Sequence, residues 1–284
     1  MAFLTSSGAA VLRPEQIGPL IVQPVQALST ALQVTTLLST TSHEMRIPIV
    51  TGDVTASWTP EGSDITPADP SVDELVVTPR KLASLTLISN EQANDTSPAA
   101  VSLVGESIAR NISRELDAAF FGSTTANGPY GIQSIGGVNE VLSDLDNVDG
   151  FADAEYDVLA VGGRITAWCA SASTARDLSK LKRFTGTSLE SNEPLLQPDA
   201  TQAGRRTING VPLFIVPGTA VPDGEVWGFD STRVFSVMRE DVSLAVDPSW
   251  AFGKDSVAVR ATIRVAFGFP HPAAIAHIAP AGSS

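Results

Sequence analysis

The sequence predicts an α+β fold, and three observations predict it. Residues 97–122 (SPAAVSLVGESIARNISRELDAAFFG) carry a helical apolar period with both ends marked. From residue 207 onward the chain alternates apolar and polar residues in short runs separated by turn signals. Between them strand and helix patterns are mixed, and no repeat of fixed period occurs.

Residues 1–45 are rich in Ser, Thr and Gln and thin in core-like pattern, with Pro14, Pro19 and Pro24 spaced along the first half. A short helix is expected from about Val25, and the prolines favour an extended arm before it. An arm of this kind cannot bury itself. It is disordered or laid across a partner, and Leu20, Ile21, Val22 and Leu28 favour the partner.

Residues 46–88 predict two strands, MRIPIV entering and KLASLTLIS returning, joined by a long acidic tip. From Pro48 to Arg80 there are six acids (Asp53, Glu61, Asp64, Asp69, Asp73, Glu74) and one base, Arg80. Loops of this length are functional or disordered. Trp58 and the strand-like DELVVTP argue against disorder, and a hairpin is marginal alone. A projecting two-stranded loop packing on a neighbour is the expectation. A short helical turn, SNEQAND, follows.

The helix at 97–122 has Ser97 as N-cap, Pro98 at the first helical position and Gly122 as the left-handed residue after the last turn. Val101, Val104, Ile108, Ile112, Leu116 and Phe120 recur at steps of three and four and form one apolar stripe. Glu106 and Arg110 sit four apart on a wetter face. Nothing on the helix predicts catalysis; it predicts a buttress for a sheet.

Beyond Gly122 the segment STTANGPYGIQSIGGV is turn-rich, and residues 138–157 hold seven acids and no base. YDVLAVGGRITAWC (156–169) predicts a strand entering a helix, which ASASTARDLSKLKRF continues to a basic end at Arg176, Lys180, Lys182 and Arg183. LESNEPLLQPDATQAG predicts a loop. Asn209-Gly210 marks a hairpin turn and Pro222-Asp223-Gly224 a second turn. TRVFSVM and VSLAVDPS predict strands. In DSVAVRATIRVAFGF, Val257, Val259, Ala261, Ile263, Val265 and Phe267 take one face, and Arg260, Thr262 and Arg264 the other.

At 284 residues the chain forms one large domain or two entangled ones. Charged residues are 17% of it, below the usual quarter, and hydrophobic residues 43%. Either other subunits cover much of the surface or the core is large. A net charge of -13 argues against a groove that neutralises nucleic-acid phosphates, and fits a surface that tolerates a polyanion nearby. The single Cys169 excludes an internal disulfide. No signal peptide or run of eighteen apolar residues is evident, so a reducing cytoplasm is expected, with the sequons at Asn94 and Asn111 coincidental.

Candidate chemistry is sparse. His43, His271 and His277 lack metal-site spacing and predict structural roles, and no G-x-S-x-G elbow is present. Asp144, Asp146 and Glu155 match three positions of a calcium loop, but Val148 and the displaced Gly150 break it, which favours a solvated acidic face. Gly162-Gly163 lacks phosphate-loop spacing and predicts a strand-to-helix turn; Cys169 beside Trp168 predicts a core residue on an apolar helix face. No catalytic, cofactor or metal residues are assigned.

The order of pieces resembles the Hong Kong 97-type major capsid proteins of tailed bacteriophages. ASWTPEGSDI followed by RKLASLTLISNEQANDT looks like that family's extended loop, returning strand and short helix, and VSLVGESIARNISRELDAAFFG like its spine helix. AWCASASTARDLSKLKRFTGTSL resembles the axial-domain helix. INGVPLFIVPGTAVPDGEVWGFDSTRVFSVMREDVSLAV and VAVRATIRVAFGFPHPAAIAHI resemble the closing cassette.

The resemblance implies a non-enzymatic shell subunit that assembles into hexamers and pentamers around double-stranded DNA, localised to the virion and assembled in the bacterial host cytoplasm. It implies an N-terminal arm (1–45), an extended loop (46–82), a peripheral domain (83–128 with 232–270) and an axial domain (129–231 with 271–284). A separate scaffolding protein or a processed N-terminus is expected because the chain begins at the arm, and a portal is a further partner. Some members cross-link the loop through a lysine; Pro48–Arg80 has none and Lys81 lies at its base, so a non-covalent shell is expected. The acidic loop, with Trp58, Glu61 and Asp64, needs cationic partners. These are Arg260 and Arg264 on the long strand or Arg110 and Arg114 on the helix, with Arg80 at the loop base. Two alternatives stand beside this: an encapsulin-type nanocompartment shell and, from another class, a cytoplasmic hydrolase.

Overall fold

The computed structural model describes residues 23–52, 54–62, 64, 67–89, 99–183, 193–198, 205–239 and 243–282. The expected N-cap Ser97, Pro98, the SNEQAND turn beyond Ser89, and Leu20, Ile21 and Val22 lie outside them.

Two sheets share one helix. The helix α3 (Ala99–Phe121) follows α1 (Gln23–Leu28) and α2 (Thr30–Val34). The first sheet contains β1 (Thr36–Thr40), β11 (Phe235–Arg239), β12 (Ser243–Ala251), β13 (Ser256–Gly268) and β4 (Arg80–Ser89). Its hub is β13. Residues 268–265 pair antiparallel with β11, residues 262–258 with β12, and residues 265–256 with all ten residues of β4. The predicted alternation is realised from Val259 onward: Val259, Ala261, Ile263, Val265 and Phe267 are buried and Val257 half-buried, whereas Arg260 is exposed and Thr262 and Arg264 half-buried.

The helix lays Ile108, Ile112, Leu116 and Phe120 on that buried face. Each such side chain contributes roughly 1.5–3 kcal/mol by leaving water. Phe120 is the pivot, with ring centroids at 4.9 Å from Phe121, 5.9 Å from Phe229 and 5.0 Å from Phe267, all near edge-to-face. Gly122 is not left-handed, contrary to expectation. Its N–H closes one more turn on Ala118 O at 3.0 Å, and Gln133 N–H caps Gly122 O at 3.2 Å. The loop after the helix therefore supplies the cap.

The second sheet has the order β5-β14-β10-β6-β9-β8-β7, from β5 (Asn139–Leu142), β14 (Ile275–Ala279), β10 (Val226–Phe229), β6 (Ala167–Ser171), β9 (Val211–Val216), β8 (Arg206–Ile208) and β7 (Gln197–Pro198). One face joins the α3 core through Ala167, Cys169, Trp227 and Phe229. The other packs on α4 (Asp149–Ala160) and α5 (Ala172–Ser179) through Trp168, Ala170, Val226 and Ile278. The Asn209-Gly210 turn forms as predicted, with φ of 51° and 82°.

Three local expectations change. YDVLA closes helix α4 instead of forming a strand, because Phe151, Ala154 and Val158 supply a buried helical stripe upstream of it. Gly162-Gly163 is accordingly a helix-to-strand turn. AWCAS is a strand buried along its whole length between β10 and β9, so Trp168 and Cys169 are core residues on a strand, not on a helix. An apolar run buried on both faces has no period to distinguish the two.

MRIPIV pairs with SVDELVV, not with KLASLTLIS. The hairpin is β2 (Met45–Gly52) against β3 (Ser71–Val77), and β4 leaves it for β13. Pro79, without an N–H, ends the β3 ladder, and β13 offers β4 ten partners.

The segment 23–34 is not a surface arm. Val25, Ala31, Leu32 and Val34 are buried against α3 in the chain's own core. Its buried hydroxyls are satisfied: Thr35 Oγ1 lies 2.7 Å from Ala31 O and from Ser236 Oγ, and Ser29 Oγ donates to Asp117 Oδ1 at 2.8 Å. Asp117 also accepts from the N–H groups of Thr30 (3.1 Å) and Ala31 (2.9 Å). Burial raises its carboxyl pKa against these hydrogen bonds, which lower it. Burial, reinforced by the Asp117 charge, also pushes the Cys169 thiol well up, so it is inert.

Candidate subunit interface

Among the described residues, two surfaces of unlike character bear on the expected docking of the acidic loop. The first is the β2–β3 hairpin and its loop. Trp58 is 104% exposed, and Val50, Val54, Val72 and Val76 are exposed beside Glu61, Asp64, Asp69 and Asp73. Arg46 pairs with Glu74 across the hairpin at 2.6 Å, both side chains more than half exposed, which makes it a weak tie. Among the described residues the hairpin is anchored at its base. Val77, Leu75, Met45 and Ile47 pack on Val237 and Ala266 of the first sheet. Gly268 permits this approach, since a Cβ there would lie 3.1 Å from Val77 Cγ2 and 3.3 Å from Ile47 Cδ1.

The second surface is the outer face of the first sheet. The β13–β4 register sets Arg264 opposite Lys81, Thr262 opposite Ala83, Arg260 opposite Leu85 and Ala258 opposite Leu87. Leu85 and Leu87 are 54% and 41% exposed. Three cations and two leucines thus share one solvent-facing ribbon. The sequence held a signal for the leucines: in LASLTLIS, Leu82 and Ile88 fall on one face and Ala83, Leu85 and Leu87 on the other, so both faces carry apolar residues. Trp250 on β12, 63% exposed, is a further apolar residue that the pattern did not single out.

The structure brings together Arg260, Arg264 and Lys81 but separates the other candidate cations. Arg110 and Arg114 are exposed on α3, which presents its opposite side to the inner face of the same sheet. They therefore lie across the helix–sheet layer from Arg260 and Arg264. Arg80 is exposed at the edge of a small hollow with Glu115, Leu116 and Asn127. One acidic loop cannot engage all of these cations at once.

Of the other polar candidates, His277 stacks on Trp227 at 4.0 Å and 13°, with Nε2 3.1 Å from Glu225 Oε2, an inward structural arrangement. His43 is exposed. Asp144 and Asp146 border a hollow with Asp177 and Asp223, whereas Glu155 faces Asn209 at 3.5 Å, so the three calcium-loop candidates do not converge. Among the described residues no group of three or more His, Cys, Asp or Glu is placed to hold a metal ion.

Comparison with solved structures gives the same architecture. The chain is similar to the capsid of a native GTA particle computed with C5 symmetry (18% identity, 89% of this chain and 91% of that chain, TM-score 0.68). It is also similar to a structure from Microbacterium phage Oxtober96 (19% identity, 89% and 91%, TM-score 0.69) and one from Mycobacterium phage Bobi (17% identity, 90% and 91%, TM-score 0.69). At these identities the likeness concerns the fold, which is the Hong Kong 97 type. No curated protein matches the sequence. The model of the phage capsid family matches residues 9–279, nearly the whole length. A chain that carries this family's pattern over nearly its whole length and shares the fold of these structures belongs to the phage capsid family.

Proposed function

We propose that this major capsid subunit forms hexamers and pentamers that close into an icosahedral head around double-stranded DNA, and that its role is architectural, without catalysis. The observation that carries the reading is the pair of complementary surfaces left bare on one chain: a fully exposed Trp58 on an acidic loop, and a cationic, leucine-bearing sheet face. The hairpin of one subunit lies on the outer sheet face of the next, with Trp58 over Leu85 and Leu87 and with Glu61 and Asp64 near Arg260 and Arg264. Apolar burial supplies most of the association, since exposed ion pairs contribute about 0–1 kcal/mol each, and the charges set register. The encapsulin alternative is not favoured, because the similar structures are phage and GTA capsids.

In this reading 46–82 is the extended loop, 83–128 with 232–270 the peripheral domain, and 129–231 with 271–284 the axial domain. Of the arm, 1–45, the part from Val25 is folded onto its own chain. Assembly takes place in the host cytoplasm with a scaffolding protein and a portal. Negative-stain microscopy of the purified protein tests the proposal. Closed shells or capsomer rings support it; a monomer at all concentrations and salt conditions, alone or with its phage's scaffolding protein, overturns it.

A further inference from the structure

A groove of about 560 Å³ opens between α1, α5 and the β8–β9 side of the second sheet. Its walls are apolar at Leu28, Phe214 and Ile215 and cationic at Arg176, Arg205 and Arg206. Leu28 and Ile215 are 41% and 53% exposed, and Arg205 lies over the Phe214 ring at 5.0 Å. Toward the β5–β14 edge of the same sheet, α4 covers β5 and β14 and turns a matching stripe outward. Asp149, Asp153 and Asp157 recur at steps of four, Tyr156 lies three beyond Asp153, and all four are exposed, with Tyr156 at 72%. Leu159 and Val161 flank them, also exposed.

We propose that the α4 stripe of one subunit docks in the arginine-lined groove of the next copy, a lateral contact separate from the hairpin docking and resting on the same shell reading. Groove and stripe are complementary in charge, with Arg205, Arg206 and Arg176 (the last also 3.5 Å from Asp177) against three aspartates, and both carry apolar surface. A nucleic-acid backbone would leave Leu28 and Ile215 uncovered. Within one chain α4 lies on β5 and β14 and reaches the β8–β9 turn through Glu155 and Asn209, and none of its outward stripe lines the groove. A surface and its complement at two distinct places on one body make a head-to-tail contact, which closes into a ring when the rotation allows. The arginines fix the register, and the ring of Tyr156 against Ile215 and Phe214 supplies the apolar area.

The test uses the full chain carrying Tyr156→Cys and Ile215→Cys, two exposed positions, against the buried Cys169. Treatment of assembled particles with a short bis-maleimide should give a covalent ladder that ends at the ring size, whereas either single variant gives none. Independently, Asp157→Arg should abolish rings at the concentration where the wild type forms them, and adding Arg176→Asp should restore them. Thermal melts identify any variant that has lost its fold, and the cysteine pair decides the matter for those. Rings without a ladder, or a charge swap without rescue, would overturn this contact alone. A wild type that forms no rings under any condition would remove the shell reading and this contact together.

Discussion

Asp117 Oδ1 accepts a hydrogen bond from Ser29 Oγ at 2.8 Å across 88 residues of sequence, and the same carboxylate takes the N–H groups of Thr30 and Ala31. This one side chain caps the helix α2 from near the C-terminal end of α3 and fastens the segment 23–34 to the core. Asp117→Ala leaves two buried N–H groups without partners, each costing about 1–3 kcal/mol, and removes the acceptor of the Ser29 hydroxyl, which still accepts from Leu32 N–H. The expected loss is on the order of 3 kcal/mol by urea unfolding. Protease cleavage should appear near Leu28–Gln33 before global unfolding. Asp117→Asn keeps one acceptor and should lose about half as much.

The same carboxyl gives a pH signature. Its folded pKa is raised above 3.8, so between the unfolded and folded values the folded state binds more protons. Its contribution to stability is therefore fully present below the unfolded pKa and is lost as pH rises through the folded one. Asp177, held low first by the Lys180 hydrogen bond, and Asp223, held low by Ser173 and Ser171, act in the opposite sense. Subtracting the Asp117→Asn profile from the wild type removes them. The difference in unfolding free energy should fall with rising pH above 3.8; a flat or rising difference would contradict the buried-carboxylate account.

Gly228 and Trp168 make a second indispensable pair. A Cβ on Gly228 would sit 2.2 Å from Trp168 Cζ3 and 2.5 Å from Cε3, inside a core where the ring stands edge-on to Phe151 at 5.0 Å. Gly228→Ala is expected to destabilise by about 3 kcal/mol, because the indole has nowhere to move. Trp168→Leu alone costs about as much through its cavity. In the double variant the methyl enters the vacated space, so the losses should fall short of their sum by about 1–2 kcal/mol in denaturant titrations.

The sequence made the α3 stripe and the β13 alternation legible because each buries one face, and a single buried face imposes a period. Where both faces are buried the period vanishes, which is why AWCAS passed for part of a helix. The arm was obscured for a different reason. Ser29, Thr30 and Thr35 are polar by type but buried by partnership, and their partners Asp117 and Ser236 lie far along the chain. The strand pairing of β4 was likewise non-local. Trp58 and the acidic loop were recognisable as a surface in need of a partner, but the grouping of Arg260 and Arg264 apart from Arg110 and Arg114 required the helix–sheet layering. The leucines opposite them needed the β4–β13 register.

The proposed hairpin docking separates these cations experimentally. Trp58 is wholly exposed in the single chain, so Trp58→Ala should leave the unfolding free energy within about 0.5 kcal/mol of the wild type. Buried at a subunit contact, an aromatic anchor is worth about 2 kcal/mol or more, which raises the concentration needed for assembly roughly thirtyfold per contact. Leu85→Ser should act in the same direction. Arg264→Glu should impair assembly more at low salt than near 1 M, where the screening length falls to about 3 Å. Arg110→Glu and Arg114→Glu, across the layer from the sheet's outer face, should leave hairpin docking unaffected. Light-scattering titrations of assembly measure all five variants. If Trp58→Ala and Arg264→Glu assembled as the wild type does while the α3 variants failed, the hairpin would dock on the helix side and the sheet-face assignment would be wrong.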